Sequence, residues 1–192
     1  MYGMVNLGIQ KYIVDNHGSQ AWWEICAKAG VGETEFESML TYDDSVTFRL
    51  VEAISDKLNV PQEDVLRIFG EYWVEYAGGT ALGRIMDFGG SSLIEVLDSL
   101  DEMHERFRAT MPHLRPPSFE VEELSDQTFR LHYRSERQGL TGMVIGLLYG
   151  LARRHGEQIR VNHVARKGET SEHDIFEIDR LTAAAGLAET AA

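Results

Sequence analysis

Along the first two thirds of the chain, apolar residues recur at steps of three and four, the spacing of one face of an α-helix. Met4, Ile9 and Ile13 fit a first helix that stops at Gly18. Ser19 can cap a second, AWWEICAKAG, which ends at Gly30. A third helix is predicted to begin near Thr34. Ser45 opens the next, SVTFRLVEAISDKLNV, and Pro61 followed by Gln62, Glu63 and Asp64 marks another first turn, leading into VLRIFGEYWVEYAGG. A further short helix is predicted from Thr80. In GGSSLIEVLDSLDEMHERFRAT, Leu93, Val96, Leu97, Leu100, Met103, His104 and Phe107 form one stripe. A histidine therefore stands on an otherwise apolar helix face.

Beyond Pro112, Pro116 and Pro117 the period changes to two. FEVEEL and TFRLHYRS, separated by a Ser-Asp-Gln turn, read as a hairpin. Helical spacing returns in LTGMVIGLLYGLARRHG, and then QIRVNHVA and DIFEIDR flank the polar loop RKGETSEH as a second hairpin. The predicted class is α+β: a helical N-terminal half packed on an antiparallel sheet of about four strands, with one helix inserted between the hairpins. One compact domain over residues 1–180 is expected, with 181–192 as a frayed alanine-rich tail.

Composition narrows the chemistry. Hydrophobic residues at 43% and charged residues at 26% are those of a globular protein, and a net charge of −13 argues against a nucleic-acid surface. Cys26 is the only cysteine, which excludes a disulfide framework, a thiolate metal site and an iron–sulfur cluster. The N-terminal apolar stretch is too short and wrongly flanked for a signal peptide, and no segment approaches the roughly 18 apolar residues of a membrane span. A cytoplasmic protein without a membrane span is expected.

Two features stand out from this background. In a strand, Phe129, Leu131, Tyr133, Ser135 and Arg137 share one face, which begins apolar and ends in three hydrogen-bond donors. The Arg137 fork and the two hydroxyls suit a carboxylate or phosphate, although a strand emerging into water would look the same. His104 is either a satisfied core histidine or a neutral imidazole presented to a metal, as in axial ligation of haem iron. Haem would join both features, with apolar walls for its macrocycle and donors for its propionates. The other histidines have structural explanations. His104-Glu105-Arg106 also matches the start of a kinase phosphoacceptor box, but the Thr-Pro expected next is missing.

The residues Tyr133, Ser135 and Arg137 form a Tyr-x-Ser-x-Arg motif downstream of His104, accompanied by MYGMVN, FGEYW, LRPPSFE and GLLYGL. With these, the chain resembles, over residues 1–180, a haem nitric oxide/oxygen binding (H-NOX) domain of the bacterial stand-alone type. The same module stands at the N-terminus of the soluble guanylate cyclase β subunit. The resemblance implies haem held between the helical and sheet parts, with His104 as axial ligand, Tyr133, Ser135 and Arg137 on the propionates, and Pro117 distorting the macrocycle. The haem would be non-covalent haem b, since no Cys-x-x-Cys-His is present. Val5, Ile9, Trp73, Met143 and Leu147 are the expected pocket residues.

Family members that hold dioxygen supply a tyrosine hydroxyl where this chain has Met143, so the resemblance implies a nitric oxide sensor that also binds CO and excludes O2. Trp73 is read as packing bulk, with its indole N–H as the alternative donor. The implied mechanism is loss of the iron–histidine bond and movement of the His104 helix. The chain would not be an enzyme, and its partner would be a histidine kinase or a cyclic-di-GMP enzyme. Competing readings are an O2-binding haem protein or haem redox sensor, and a haem-free interaction module. A haem peroxidase or NO dioxygenase would want a distal acid–base pair, which these pocket residues do not offer.

Overall fold

A computed structural model describes residues 1–32, 34–79 and 90–181. Helix α1 (Gly3–Ala29) contains both of the first two predicted helices, joined at Gly18, whose φ of 83° and ψ of 164° break the helical path. A Cβ there would meet nothing within 4 Å, so glycine serves the backbone angle and not the packing. Gly30 closes the helix at φ 62°.

The helix expected near Thr34 does not form. The carbonyls of that segment are committed elsewhere: Leu40 O and Ser38 O accept from Gly3 N and Met4 N, first-turn donors that have no acceptor within α1. The Trp22 indole donates to Thr34 O at 2.8 Å. Phe36 is buried against the same tryptophan. Helix α2 (Asp44–Leu58) starts one residue before the predicted Ser45, because Asp43 caps it by accepting from Ser45 N at 2.8 Å. Helix α3 (Gln62–Gly78) follows Pro61 as read. The short helix predicted from Thr80 lies outside the described residues, as does the predicted frayed tail beyond Leu181.

Helix α4 (Leu93–Arg108) is capped by Ser92 and carries His104. The two hairpins are β1 (Ser118–Glu123) with β2 (Thr128–Arg134), and β3 (Ile159–Ala165) with β4 (Asp174–Arg180). They join into one antiparallel sheet of order β1-β2-β4-β3, and α5 (Thr141–Arg154) runs between them in sequence. The architecture is α+β, with helices segregated toward the N-terminal half.

Two apolar cores result. One lies among α1, α2 and α3 around Ile13, Trp22, Ile25 and Leu50; the other fills the sheet face under α4 and α5 around Leu97, Leu131, Leu148 and Phe176. Helices α3 and α5 join them at backbone contact. A Cβ on Gly146 would stand 2.0 Å from Arg67 O, one on Gly142 2.4 Å from Glu63 O, and one on Gly70 2.3 Å from Met143 O. The glycines at steps of four along α5 are thus the groove into which α3 settles.

Candidate functional site

The α3–α5 seam brings Trp73 from one helix and Met143 and Leu147 from the other to a shared cavity of about 270 Å³. Val5 of α1, His104 of α4, Pro116, Pro117, Tyr133, Ser135 and Arg137 complete its wall with aliphatic neighbours. A second lobe of about 200 Å³ runs along Tyr2, Met4, Phe107 and Met111 and shares Val5, Trp73, His104 and Arg137 with the first. Every pocket residue expected from sequence lies on this wall except Ile9. That residue turns instead into the helical core and lines a separate apolar gap of about 30 Å³ with Ile13, Val51 and Phe69. It stands one turn beyond Val5 on the same face of α1, about 6 Å further along the axis, where that face meets α2 and α3 in place of the cavity.

His104 is not a satisfied core histidine. Its Nδ1 is buried without a hydrogen-bond partner, and its ring stacks on Phe119 at 6.0 Å between centroids. Burial holds its pKa below the ordinary histidine range, so the imidazole is neutral at pH 7. One turn earlier on α4, Asp101 accepts from Ser118 Oγ and Phe119 N, both at 2.9 Å, and so fastens α4 to the start of β1.

The strand face read from sequence continues only to Tyr133, because β2 ends at Arg134; Ser135 and Arg137 lie in the turn that follows. They still reach the cavity. Tyr133 is 4% exposed, and burial raises its pKa while its hydrogen bond with Ser135 acts in the opposite direction. Arg137 donates from Nε to Asp44 Oδ2 at 2.7 Å and from Nη1 to the Arg115 carbonyl at 2.7 Å. The Asp44 carboxylate, from the start of α2, occupies the fork in the manner of any carboxylate ligand. It also accepts from the Met1 amine.

Asp44 is a residue that sequence reading missed, since nothing local marks a contact spanning 93 positions. Partial burial raises its pKa, but hydrogen bonds from the Met1 amine and Arg137 outweigh that and leave it below the ordinary carboxylate value. A depressed carboxyl contributes stability that is complete above its unfolded value, about pH 4, and is lost as pH falls through the folded value. Asp44→Asn should therefore show a smaller fall in Tm than the parent between about pH 5 and pH 2. Parallel Tm–pH curves for the two proteins would contradict it.

Among the described residues no group of three or more His, Cys, Asp or Glu side chains is placed to hold a metal ion, and no helix is long and apolar enough to cross a membrane. Cys26 is 1% exposed with its thiol pKa pushed up to about 11 by burial, so it is protonated and unreactive at neutral pH.

The wall composition fits haem. It combines an apolar cavity, a neutral histidine with an unpartnered nitrogen, and a cluster of anion donors. Comparison with known proteins agrees. The family model described as Haem-NO-binding matches residues 2–163. Among curated proteins, the soluble guanylate cyclase gcy-33 of Caenorhabditis elegans is 31% identical over 153 residues, 80% of this chain and 16% of that protein. Soluble guanylate cyclase 89Da of Drosophila melanogaster is 24% identical over 89% of this chain and 26% of its own length. The chain thus spans about a quarter or less of these relatives. Among solved structures, an H-NOX protein from S. oneidensis in the Fe(II)NO ligation state superposes with a TM-score of 0.85 at 21% identity, covering 95% of this chain and all of that one. The Fe(II) unliganded H-NOX protein from K. algicida gives a TM-score of 0.78 at 21% identity, over 95% of this chain and 97% of its own. With fold, cavity wall and family match in agreement, the chain belongs to the Haem-NO-binding family.

Proposed function

We propose that this chain is a nitric oxide sensor that holds non-covalent haem b in the cavity and signals to a partner protein. The observation that carries the proposal is the neutral, unpartnered His104 in the same apolar cavity as Tyr133, Ser135 and Arg137. Haem bound there would supply a ferrous iron able to take a diatomic gas.

The chain's own residues do the rest. His104 offers a lone pair at neutral pH without first losing a proton. Nδ1 donates to no carboxylate or carbonyl, so the chain would add no basicity to the imidazole as a ligand of haem iron. Tyr133 and Ser135 would offer hydroxyls to a propionate, and the Arg137 fork, which now holds the Asp44 carboxylate, would serve the same kind of anion. Pro117 lines the cavity wall, where its ring would bear on the macrocycle. Met143, Leu147 and Val5 exclude water and present no hydroxyl, which favours NO and CO over O2, the ligand that most needs a hydrogen bond.

Helix α4 carries the consequence outward. Its ties to β1 through Asp101 mean that a change at His104 reaches the sheet edge. A histidine kinase or a cyclic-di-GMP enzyme in the cytoplasm is the partner we infer, and the net charge of −13 favours a basic face on it.

The test is the visible spectrum of the dithionite-reduced protein, alone and under NO, CO and air. A five-coordinate ferrous Soret band that moves with NO and CO, with no stable oxy spectrum, is expected. A stable oxy complex would overturn the exclusion of O2 and mean that the Trp73 N–H or another group donates to it.

A further inference from the structure

One wall contact has no part in haem binding as described. Gly8, on α1, abuts the six-membered edge of the Trp73 indole. A Cβ on Gly8 would lie 3.0 Å from Cζ3 and 3.2 Å from Cε3 of Trp73, with Phe69 Cε2 at 3.4 Å. Those approaches are tighter than ordinary carbon–carbon contact, so a side chain at position 8 must displace the ring. The backbone at Gly8 is plain helix, where glycine is intrinsically unfavourable. Space, not conformation, is what this glycine provides.

The ring has little room to retreat. Phe69 and Tyr76 flank it at 5.8 and 5.6 Å between centroids, and α3 itself is locked against α5 where Gly70 meets the Met143 backbone. Its open side is the cavity, which it lines in both lobes. The Nε1 edge of an indole lies across the ring system from Cε3 and Cζ3, hence away from Gly8. The geometry points to Gly8 as a positioning residue: its missing side chain sets how deeply Trp73 enters the cavity, and so the size of ligand admitted beside it. The inference rests on the haem reading and extends it, since it makes the Gly8–Trp73 pair a size filter that passes diatomic gases and resists larger ligands.

The experiment combines two readouts on the full chain. In protein labelled with 5-fluorotryptophan, the Trp73 line is assigned by its absence in Trp73→Phe, and Gly8→Ala should shift that line with or without haem. In the haem-loaded, reduced protein, the affinity ratio of n-butyl isocyanide to CO should fall roughly tenfold in Gly8→Ala. Adding Trp73→Phe to Gly8→Ala should restore or exceed the parent ratio. An unmoved fluorine line, an unchanged ratio, or the same fall in the Trp73→Phe background would overturn the inference. A chain that takes up no haem sinks the haem reading, and the fluorine shift then decides the Gly8–Trp73 contact by itself.

Discussion

His104→Gly protein is expected to lose the five-coordinate ferrous spectrum and to regain it when imidazole is supplied. The glycine opens a slot where the side chain stood against Phe119, and free imidazole can enter from the cavity. Haem affinity without imidazole should fall by more than the roughly 10- to 100-fold that loss of an outer partner of a metal ligand costs. The rescued protein binds haem through an imidazole no longer attached to α4. It should therefore fail to change its partner's activity with NO, since the ligand must bias an element of the chain to move it. Normal signalling by the rescued variant would show that the His104 tether carries none of the signal.

The other large effect concerns folding. Gly146→Ala is expected to destabilise the protein by about 3 kcal/mol or more, at or beyond the upper end of ordinary overpacking. Its Cβ would stand 2.0 Å from Arg67 O, 2.8 Å from Arg67 C and 3.0 Å from Glu71 N, all of them backbone atoms of α3. No rotamer change relieves that, so the two helices must part. Parting them also separates Trp73 from Met143 and Leu147 and opens the cavity wall. Gly32→Ala is the matched control, because a Cβ there meets nothing within 4 Å. Urea unfolding of the haem-free proteins measures both, and a Gly146→Ala loss no larger than that of Gly32→Ala would refute close packing at the seam.

These two positions also show what could be read before the structure. His104 was visible because a titratable residue on a strictly apolar helical stripe breaks a strong pattern. Gly146 was visible only as one of several glycines in a helical run, because its meaning lies in a partner helix that local sequence does not identify. The hairpins and the long helices follow from period and punctuation. The missing helix near Thr34 does not, since tertiary hydrogen bonds to α1 outbid local preference there.

The site was legible to a similar depth. Strict alternation put Ser135 and Arg137 on the strand, whereas the ladder ends at Arg134 and the turn delivers them to the cavity. Ile9 could not be told from Val5, since both lie on one face of α1 and only one turn of rise along the axis separates them. Asp44 was unreadable as a partner of Arg137 because the pairing depends on the docking of α2 against the turn after β2.

If His104 ligates haem iron in this cavity, the bond between them has a vibrational signature. The most direct test is the resonance Raman spectrum of the dithionite-reduced protein, recorded with natural and with ¹⁵N-labelled histidine. A low-frequency iron–nitrogen stretch that shifts with the label and is absent from His104→Gly protein is expected. A reduced spectrum with no band sensitive to the histidine label, or one that persists unchanged without His104, would contradict it.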